Sequence, residues 1–361
     1  MTEMPPSLPE PAAVPVDPAG ASLETLIPEE GAGGAAATAT NRKLITWIVV
    51  VGVVLAIVAA LLAWYLATRK PLTQIPGVSN IVAPHFVTAT YDLFQPVGVA
   101  VDEPNNQVYV TQSGGSRTVA ILDLDGNRLG ELAPIPGPNK KANFLPVYVA
   151  VDPATSDVYV TDRGNAAVHV YDSSGNYVRD FLPKGTTVWT PLGVAFGSNG
   201  NLFVSDLTEP SQKVWELKTD GTVVRVLGED DSLNYPNGLA QLKDGSLAVA
   251  DSNAGRVVIY GNGAKAAGAV GRGDAETALG LPRGLAVDDA GRLYVVDTVN
   301  QTVRVYDPSA DAGLPPVYAF SFGELGDQDG QFAYPNGIAV DSRDRIYVTD
   351  RENNRVQVWS Y

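Results

Sequence analysis

The 361-residue chain contains no cysteine, two histidines and two methionines. Without Cys there is no disulfide framework, no thiol nucleophile and no cysteine-bearing zinc site. Positive charge is also scarce: 25 Lys and Arg stand against 40 Asp and Glu, giving −15. Residues 71–361 alone hold 34 acids and 21 bases. A domain of that sign repels polyphosphate and lacks the basic footprint of a nucleic-acid binder, so no nucleic acid is expected among the partners.

Residues 1–43 lack aromatics and carry seven Pro, nine Ala and the run Gly31-Ala32-Gly33-Gly34. Such a stretch buries too little apolar surface to offset its ordering entropy, and a disordered acidic tail is expected. Leu44–Ala67 follows, 24 residues without a charge, with Trp47, Trp64 and Tyr65 near its ends. At about 1.5 Å per residue this run crosses a hydrocarbon core of roughly 30 Å, and the aromatics suit the interfaces. A cleavable signal peptide would carry a shorter apolar region near the start, followed by small residues. The expectation is therefore one transmembrane helix over 44–67, making the membrane a partner through those residues. Arg42 and Lys43 balance Arg69 and Lys70 across it, so charge gives no orientation. A single anchor behind a short tail suits a cell-membrane protein with its C-terminal domain outside the cytoplasm and its tail inside. Residues 68–84, with Pro71, Pro76, Gly77 and Pro84, read as a linker.

From there to the end the chain is periodic. Pro-x-Gly followed by an apolar run begins at Pro96, Pro146, Pro191, Pro236, Pro282 and Pro335, at intervals of 50, 45, 45, 46 and 53. Each copy is followed by a second β-rich run, such as Val158-Tyr-Val-Thr-Asp162 or Ile346-Tyr-Val-Thr-Asp350. A third alternates every second residue, as in Val303-Arg-Val-Tyr306, and a short fourth follows, as in Val224-Arg-Val-Leu227. Alternation of period two marks half-buried strands. Four strands in about 46 residues, six times over, predict an all-β, six-bladed β-propeller over 85–361. The sixth copy ends one strand short at Tyr361, while Phe86-Val-Thr-Ala-Thr-Tyr91 precedes the first copy without a blade of its own. The N-terminal strand is expected to complete the last blade and remove an open edge.

Pro-x-Gly-Ile/Leu-Ala-Val-Asp, then Tyr-Val-x-Asp-x-x-Asn, then Val-x-Val-Tyr resembles the NHL repeat, and Phe322–Gly337 is similar to its linker and first strand. The resemblance implies the propeller but is poor for function, because one frame hosts unrelated activities. Other proteins of this kind include RING-bearing ubiquitin ligases, RNA binders and sensor domains of receptor kinases. The missing Cys excludes a RING, the acidity disfavours RNA, and no kinase domain precedes the helix.

Asp162/Asn165, Asp297/Asn300 and Asp350/Asn353, with Asp251/Asn253 shifted, resemble ligand pairs but fall at the turn between second and third strands. There Asp and Asn cap backbone groups. Gln112 replaces the Asp in the first copy and Leu207–Gln212 lengthens the turn of the third, suggesting that these two are shaped for something else. Asp123-Leu-Asp125-Gly126 and Asp327-Gln-Asp329-Gly330 lack the twelfth-position Glu of a calcium loop and read as hairpin turns. His85 and His169 lie in different blades, and His169 reads as solvent-facing or satisfied rather than catalytic. Asn300-Gln-Thr302 forms a glycosylation sequon but also fits the turn series.

The x of Pro-x-Gly enters the innermost strand, and round the ring it reads Val97, Val147, Leu192, Asn237, Arg283 and Asn336. Tyr148 stands where five copies have Gly. Two accounts follow: channel-mouth residues varying freely under solvent, or a ligand-binding cleft of Tyr148, Asn237, Arg283 and Asn336 in which Arg283 pairs with a carboxylate or similar anion. No cofactor is expected on either account, and catalytic residues are not assigned. The alternative is a metal-dependent hydrolase or lyase, since the resemblance extends to gluconolactonases and amidating lyases with a channel metal. It implies Ca or Zn held by Asn237 and Asn336, although a cation beside Arg283 would be repelled. The favoured reading is a binding or scaffolding module for a protein, peptide or glycan partner, recognised by loops such as Pro134–Phe144 and Leu207–Gln212.

Overall fold

The computed structural model describes residues 47–62, 83–273, 277–309 and 314–361. The expected tail over 1–43, both ends of the expected span at 44–46 and 63–67, and most of the linker lie outside these residues. Residues 47–62 form a helix with exposed apolar side chains, among them Trp47, Val53 and Leu55. No helix among the described residues is long and apolar enough to cross a membrane.

The periodic region folds into six four-stranded antiparallel sheets. Blade 1 comprises Pro96–Asp102, Gln107–Gln112, Val119–Leu122 and Arg128–Glu131. Blades 2, 3, 4 and 5 repeat this order from Pro146, Pro191, Pro236 and Pro282. Blade 6 takes Pro335–Val340, Ile346–Asp350 and Arg355–Ser360 from the C-terminal end and His85–Thr90 from the N-terminal side, with His85 opposite Ser360 and Thr90 opposite Val356. The predicted closure is thus present, and no blade is left with an unpaired third strand.

The core is divided into wedges between neighbouring blades rather than gathered in one mass. Tyr159, Val170, Phe181 and Trp189 of blade 2 and its exit loop pack on Val194, Leu202 and Val204 of blade 3. Phe332, Ile338 and Trp359 of blade 6 pack on Tyr294 and Val305 of blade 5. The period-two pattern is the cause: each face of a blade meets the next blade, so both sets of alternating side chains are covered.

Candidate functional site

Every blade starts with a β-bulge. The pairing of first and second strands slips between the Pro and the residue three positions on, at Pro96/Val99 and at its five equivalents. The bulge turns the x-Gly pair toward the axis. The glycine is required by close approach: a Cβ on Gly98 would lie 2.6 Å from the Val147 carbonyl oxygen, and one on Gly193 would lie 1.8 Å from that of Asn237. Gly238, Gly284 and Gly337 meet the carbonyls of Arg283, Asn336 and Val97 in the same way. The six x residues therefore sit shoulder to shoulder around one mouth.

A second element, which the sequence alone does not reveal, is a hydroxyl at the penultimate position of the second strand in four of the six blades. The Thr111 hydroxyl accepts from the Gly98 amide at 2.8 Å and donates to the Val147 carbonyl at 2.7 Å, stitching blade 1 to blade 2. Thr161, Ser205 and Thr349 accept from the Tyr148, Gly193 and Gly337 amides. Blades 4 and 5 carry Ala250 and Val296 instead, so the Gly238 and Gly284 amides lack this acceptor. There the seam is made two residues later, by Ser252 donating to the Pro282 carbonyl and Thr298 to that of Pro335. The signal lay in Val-Thr-Asp giving way to Val-Ala-Asp and Val-Val-Asp.

Four of the six mouth residues are buried, while Val147 and Arg283 are partly exposed. Val97, Leu192, Asn237 and Asn336 are at most 7% exposed, so the account of positions varying freely under solvent does not hold for these four. Tyr148 reaches past blade 3 and donates its hydroxyl to Asn237 Oδ1 at 3.3 Å. Asn237 Nδ2 in turn donates to Ser252 Oγ at 2.6 Å. Burial pushes the Tyr148 hydroxyl up to about 12, with Arg283 pulling it down and Tyr235 raising it, so it remains a neutral donor at physiological pH. Arg283 is partly exposed, but its Nε is buried with no hydrogen-bond partner among the described residues, and the same holds for Asn336 Oδ1. Beneath the Tyr148 ring lies a chamber of about 50 Å³ bounded by Gly238, Gly284, Gly337 and apolar first-strand residues. A wider apolar vestibule of about 420 Å³ opens beyond Val101, Val151 and Phe196. The structure thus brings Tyr148, Asn237 and Arg283 together and places Asn336 beside them in the ring.

The same geometry does not fit a metal. Two amides and a guanidinium make a donor set without a carboxylate, and Asn237 is already held by Tyr148 and Ser252. A divalent cation there would meet the Arg283 charge without compensation. Among the described residues no group of three His, Asp or Glu is placed to hold a metal elsewhere.

The turn carboxylates are structural, as the spacing suggested. Asp162, Asp206, Asp251 and Asp350 accept from the backbone amides of Leu145, Thr190, Asn234 and Ala333, tying each second strand to the loop that enters its own blade. Gln112 does the same for Phe94 through Oε1, so the first turn keeps the same cap without the Asp. The lengthened third turn also keeps its cap at Asp206. Each Asp meets a donor from the third strand: Trp215 on Asp206, Arg256 on Asp251, Gln357 on Asp350. His169 belongs to this series. It is fully buried rather than solvent-facing, with Nε2 3.0 Å from Asp162 and Nδ1 2.7 Å from Asp180. Asp123 accepts from the Asp125 and Asn127 amides, the hairpin turn expected of it.

Comparison with known proteins agrees with this architecture. Residues 233–260, 279–306 and 332–359 match the NHL repeat. A segment of 56 residues, 16% of this chain, is 46% identical to Protein lin-41 of Caenorhabditis elegans, of which it covers 4%. The chain is similar in fold to virginiamycin B lyase of Staphylococcus aureus, with a TM-score of 0.53 at 14% identity over 76% of this chain and 99% of that one. It is likewise similar to a gluconolactonase of Xanthomonas campestris, with a TM-score of 0.57 at 18% identity over 78% and 95%. At these identities the likeness is one of fold. The chain carries NHL repeats on a six-bladed β-propeller.

Proposed function

We propose that this NHL propeller is a membrane-anchored module that binds a protein or peptide partner through the loop face around its channel mouth, outside the cytoplasm. The observation that carries the reading is the Tyr148–Asn237 bond, which spans the ring from blade 2 to blade 4 and occupies part of the mouth with the protein's own side chains. Recognition is then left to the loops and the residues of the rim. Six bulge-anchored first strands hold those loops on a rigid frame, the arrangement that suits recognition by loops. Anchoring rests on the uncharged run 44–67 and on the helix through 47–62. The hydrolase or lyase alternative gains no support at this mouth, where acid, base and metal ligands are lacking among the described residues.

The test uses the full chain in its native membrane. Proximity crosslinking should capture a discrete protein, and replacing the exposed Asn139 and Lys141 in the segment entering blade 2 by Ala should weaken capture while leaving the melting temperature within a few degrees. Capture unaffected by any loop change, or capture of glycan alone, would sink the reading. Protease protection in intact cells fixes the orientation: an inaccessible propeller contradicts an extracytoplasmic one.

A further inference from the structure

A cavity of about 300 Å³ lies between blades 1 and 2, away from the channel. Its apolar lining includes Val119, Leu132, Ile135 and Tyr171, all buried, and the half-buried Phe144. Two exposed cations, Arg117 and Lys141, line the same cavity. They come from separate loops. Arg117 sits in the turn after Gln112, which lies opposite Pro96, and Lys141 in the segment that leads to Pro146. Both loops are therefore at the Pro-x-Gly end of their blades. The second is a departure from the repeat: Pro96 and Pro146 stand 50 positions apart, against 45, 45 and 46 for the next three intervals. The longer connection holds the six-residue helix Pro138–Asn143, which buries none of its side chains.

Charge decides the kind of occupant. Glu131 also lines the cavity but is held by Arg128, and Lys140, next to Lys141, is held by Asp180 at 2.6 Å. Arg117 and Lys141 form no salt bridge among the described residues. Where residues 71–361 hold 34 acids against 21 bases, two such cations at one cavity are a local reversal of sign. Screening acts over about 8 Å at physiological ionic strength, so an anion at this cavity meets these two charges rather than the field of the whole domain.

We infer that this cavity is the anchor site for a protein partner, taking one large apolar side chain whose neighbours along the partner's chain are acidic and pair with Arg117 and Lys141. A volume of about 300 Å³ is at the lower limit of ligand pockets and suits one bulky side chain rather than a cofactor. The rings of Phe144 and Tyr171 favour an aromatic anchor, packed offset or edge to face. Because the two cations are exposed, they suit carboxylates that a peptide carries across the entrance; a small acid sealed inside would leave its charge against apolar walls. The inference rests on the binding-module reading and names the anchor for it.

Full-length protein in nanodiscs would be titrated calorimetrically with the N-acetylated, amidated hexapeptide Ala-Ala-Trp-Glu-Glu-Ala and its Phe and Leu counterparts. The controls are the forms in which Ala replaces Trp or Lys-Lys replaces Glu-Glu, and 3-phenylpropionate. At least one acidic peptide is expected to bind, and loss of its apolar side chain or of its acids to weaken binding at least tenfold. Arg117→Glu with Lys141→Glu should weaken the acidic peptide at least tenfold, leave the melting temperature within a few degrees and let the Lys-Lys peptide bind in its place. That exchange separates recognition from damage to the fold, which would weaken both peptides alike. Binding of none of the acidic peptides, indifference to the double variant, or equal binding of 3-phenylpropionate overturns the inference, the last by making the occupant a small acid. If crosslinked capture then still responds to changes in Leu207–Gln212, the binding-module reading survives alone; if no loop change alters capture, both fall.

Discussion

The hydroxyl of Tyr148 and the side-chain oxygen of Asn237 meet at 3.3 Å although 89 positions of sequence separate them, joining blade 2 to blade 4 past blade 3. This bond fills the space that a sixth glycine would have left open. Tyr148→Phe removes the donor and leaves Asn237 Oδ1 buried without a partner, an expected loss of about 1–2 kcal/mol. Tyr148→Ala also empties the ring's volume and should cost about 3–5 kcal/mol. Urea unfolding of both variants checks the order; equal losses would mean that the hydroxyl contributes nothing.

The glycines of Pro-x-Gly are expected to be hard to replace. Gly193→Ala places a Cβ 1.8 Å from the Asn237 carbonyl oxygen, so one of two buried strands must shift. A loss above about 2 kcal/mol follows from overpacking against backbone. Gly130, in the outer strand of blade 1, has nothing within 4 Å of the corresponding position. Gly130→Ala should be neutral or stabilising by up to about 1 kcal/mol through the unfolded chain. Chemical denaturation of the pair decides between close approach and generic glycine loss.

Much of this was legible in the sequence, and the reasons for the remainder are specific. The six repeat copies, five of them opening Pro-x-Gly, pointed to the propeller, and the orphan strand at Phe86 to the closure, because period and count survive without coordinates. Asn237 and Arg283 share the x position of the motif and Tyr148 takes the Gly position beside it, so their entry into one ring followed from register. The Tyr148–Asn237 bond was not legible, since register says that side chains enter one ring and not how far across it they reach. For His169 the sequence leaves two readings, solvent-facing or satisfied, and the structure selects the second: alternation with Val168 and Val170 shows which face it occupies, whereas its burial and its partners Asp162 and Asp180 come from the packed blade. The missing hydroxyls at Ala250 and Val296 were visible as letters, but their meaning depends on a bulge that aims the glycine amide at them.

The buried pair of His169 and Asp162 gives stability a pH dependence of defined sign. Burial pushes the Asp162 carboxyl up, but His169, Asn165 and the Leu145 amide outweigh it and hold it below its ordinary 3.8. Asp180 is likewise lowered, burial being outweighed by Lys140, Tyr177 and His169. A depressed acid contributes stability that is fully present above the unfolded value and is lost as pH falls through the folded one. Asp162→Asn should therefore cost about 2 kcal/mol at pH 7, with the gap to the unaltered protein narrowing as pH drops below 3.8. Urea midpoints from pH 7 down to 3 measure it; a gap that widens on acidification contradicts the assignment.

Gln357 occupies in blade 6 the place of His169, donating from Nε2 to Asp350 at 2.9 Å. His169→Gln should accordingly be tolerated to within about 1 kcal/mol, while His169→Leu, which leaves Asp162 with fewer donors, should lose about 2–3 kcal/mol. The two melting temperatures give the answer, and similar losses would show that the imidazole acts by volume alone.

The closing strand carries a prediction about solubility as well as stability. His85–Thr90 covers the third strand of blade 6, and Phe86 lies against Trp359 edge to face at 6.3 Å. Deleting 85–90 from the full chain would bare the backbone groups of Arg355–Ser360, a strand in which Val356, Val358 and Trp359 are apolar. An exposed apolar edge templates pairing with another copy. The deletion should therefore lower the unfolding midpoint and produce concentration-dependent oligomers by size-exclusion chromatography. Adding an excess of a peptide of sequence 85–90 should suppress them, because it restores the missing pairing in register. Oligomers that persist at saturating peptide would show that the edge is not their cause, and an unchanged midpoint would show that blade 6 is held by its wedge against blade 5 rather than by closure of the ring.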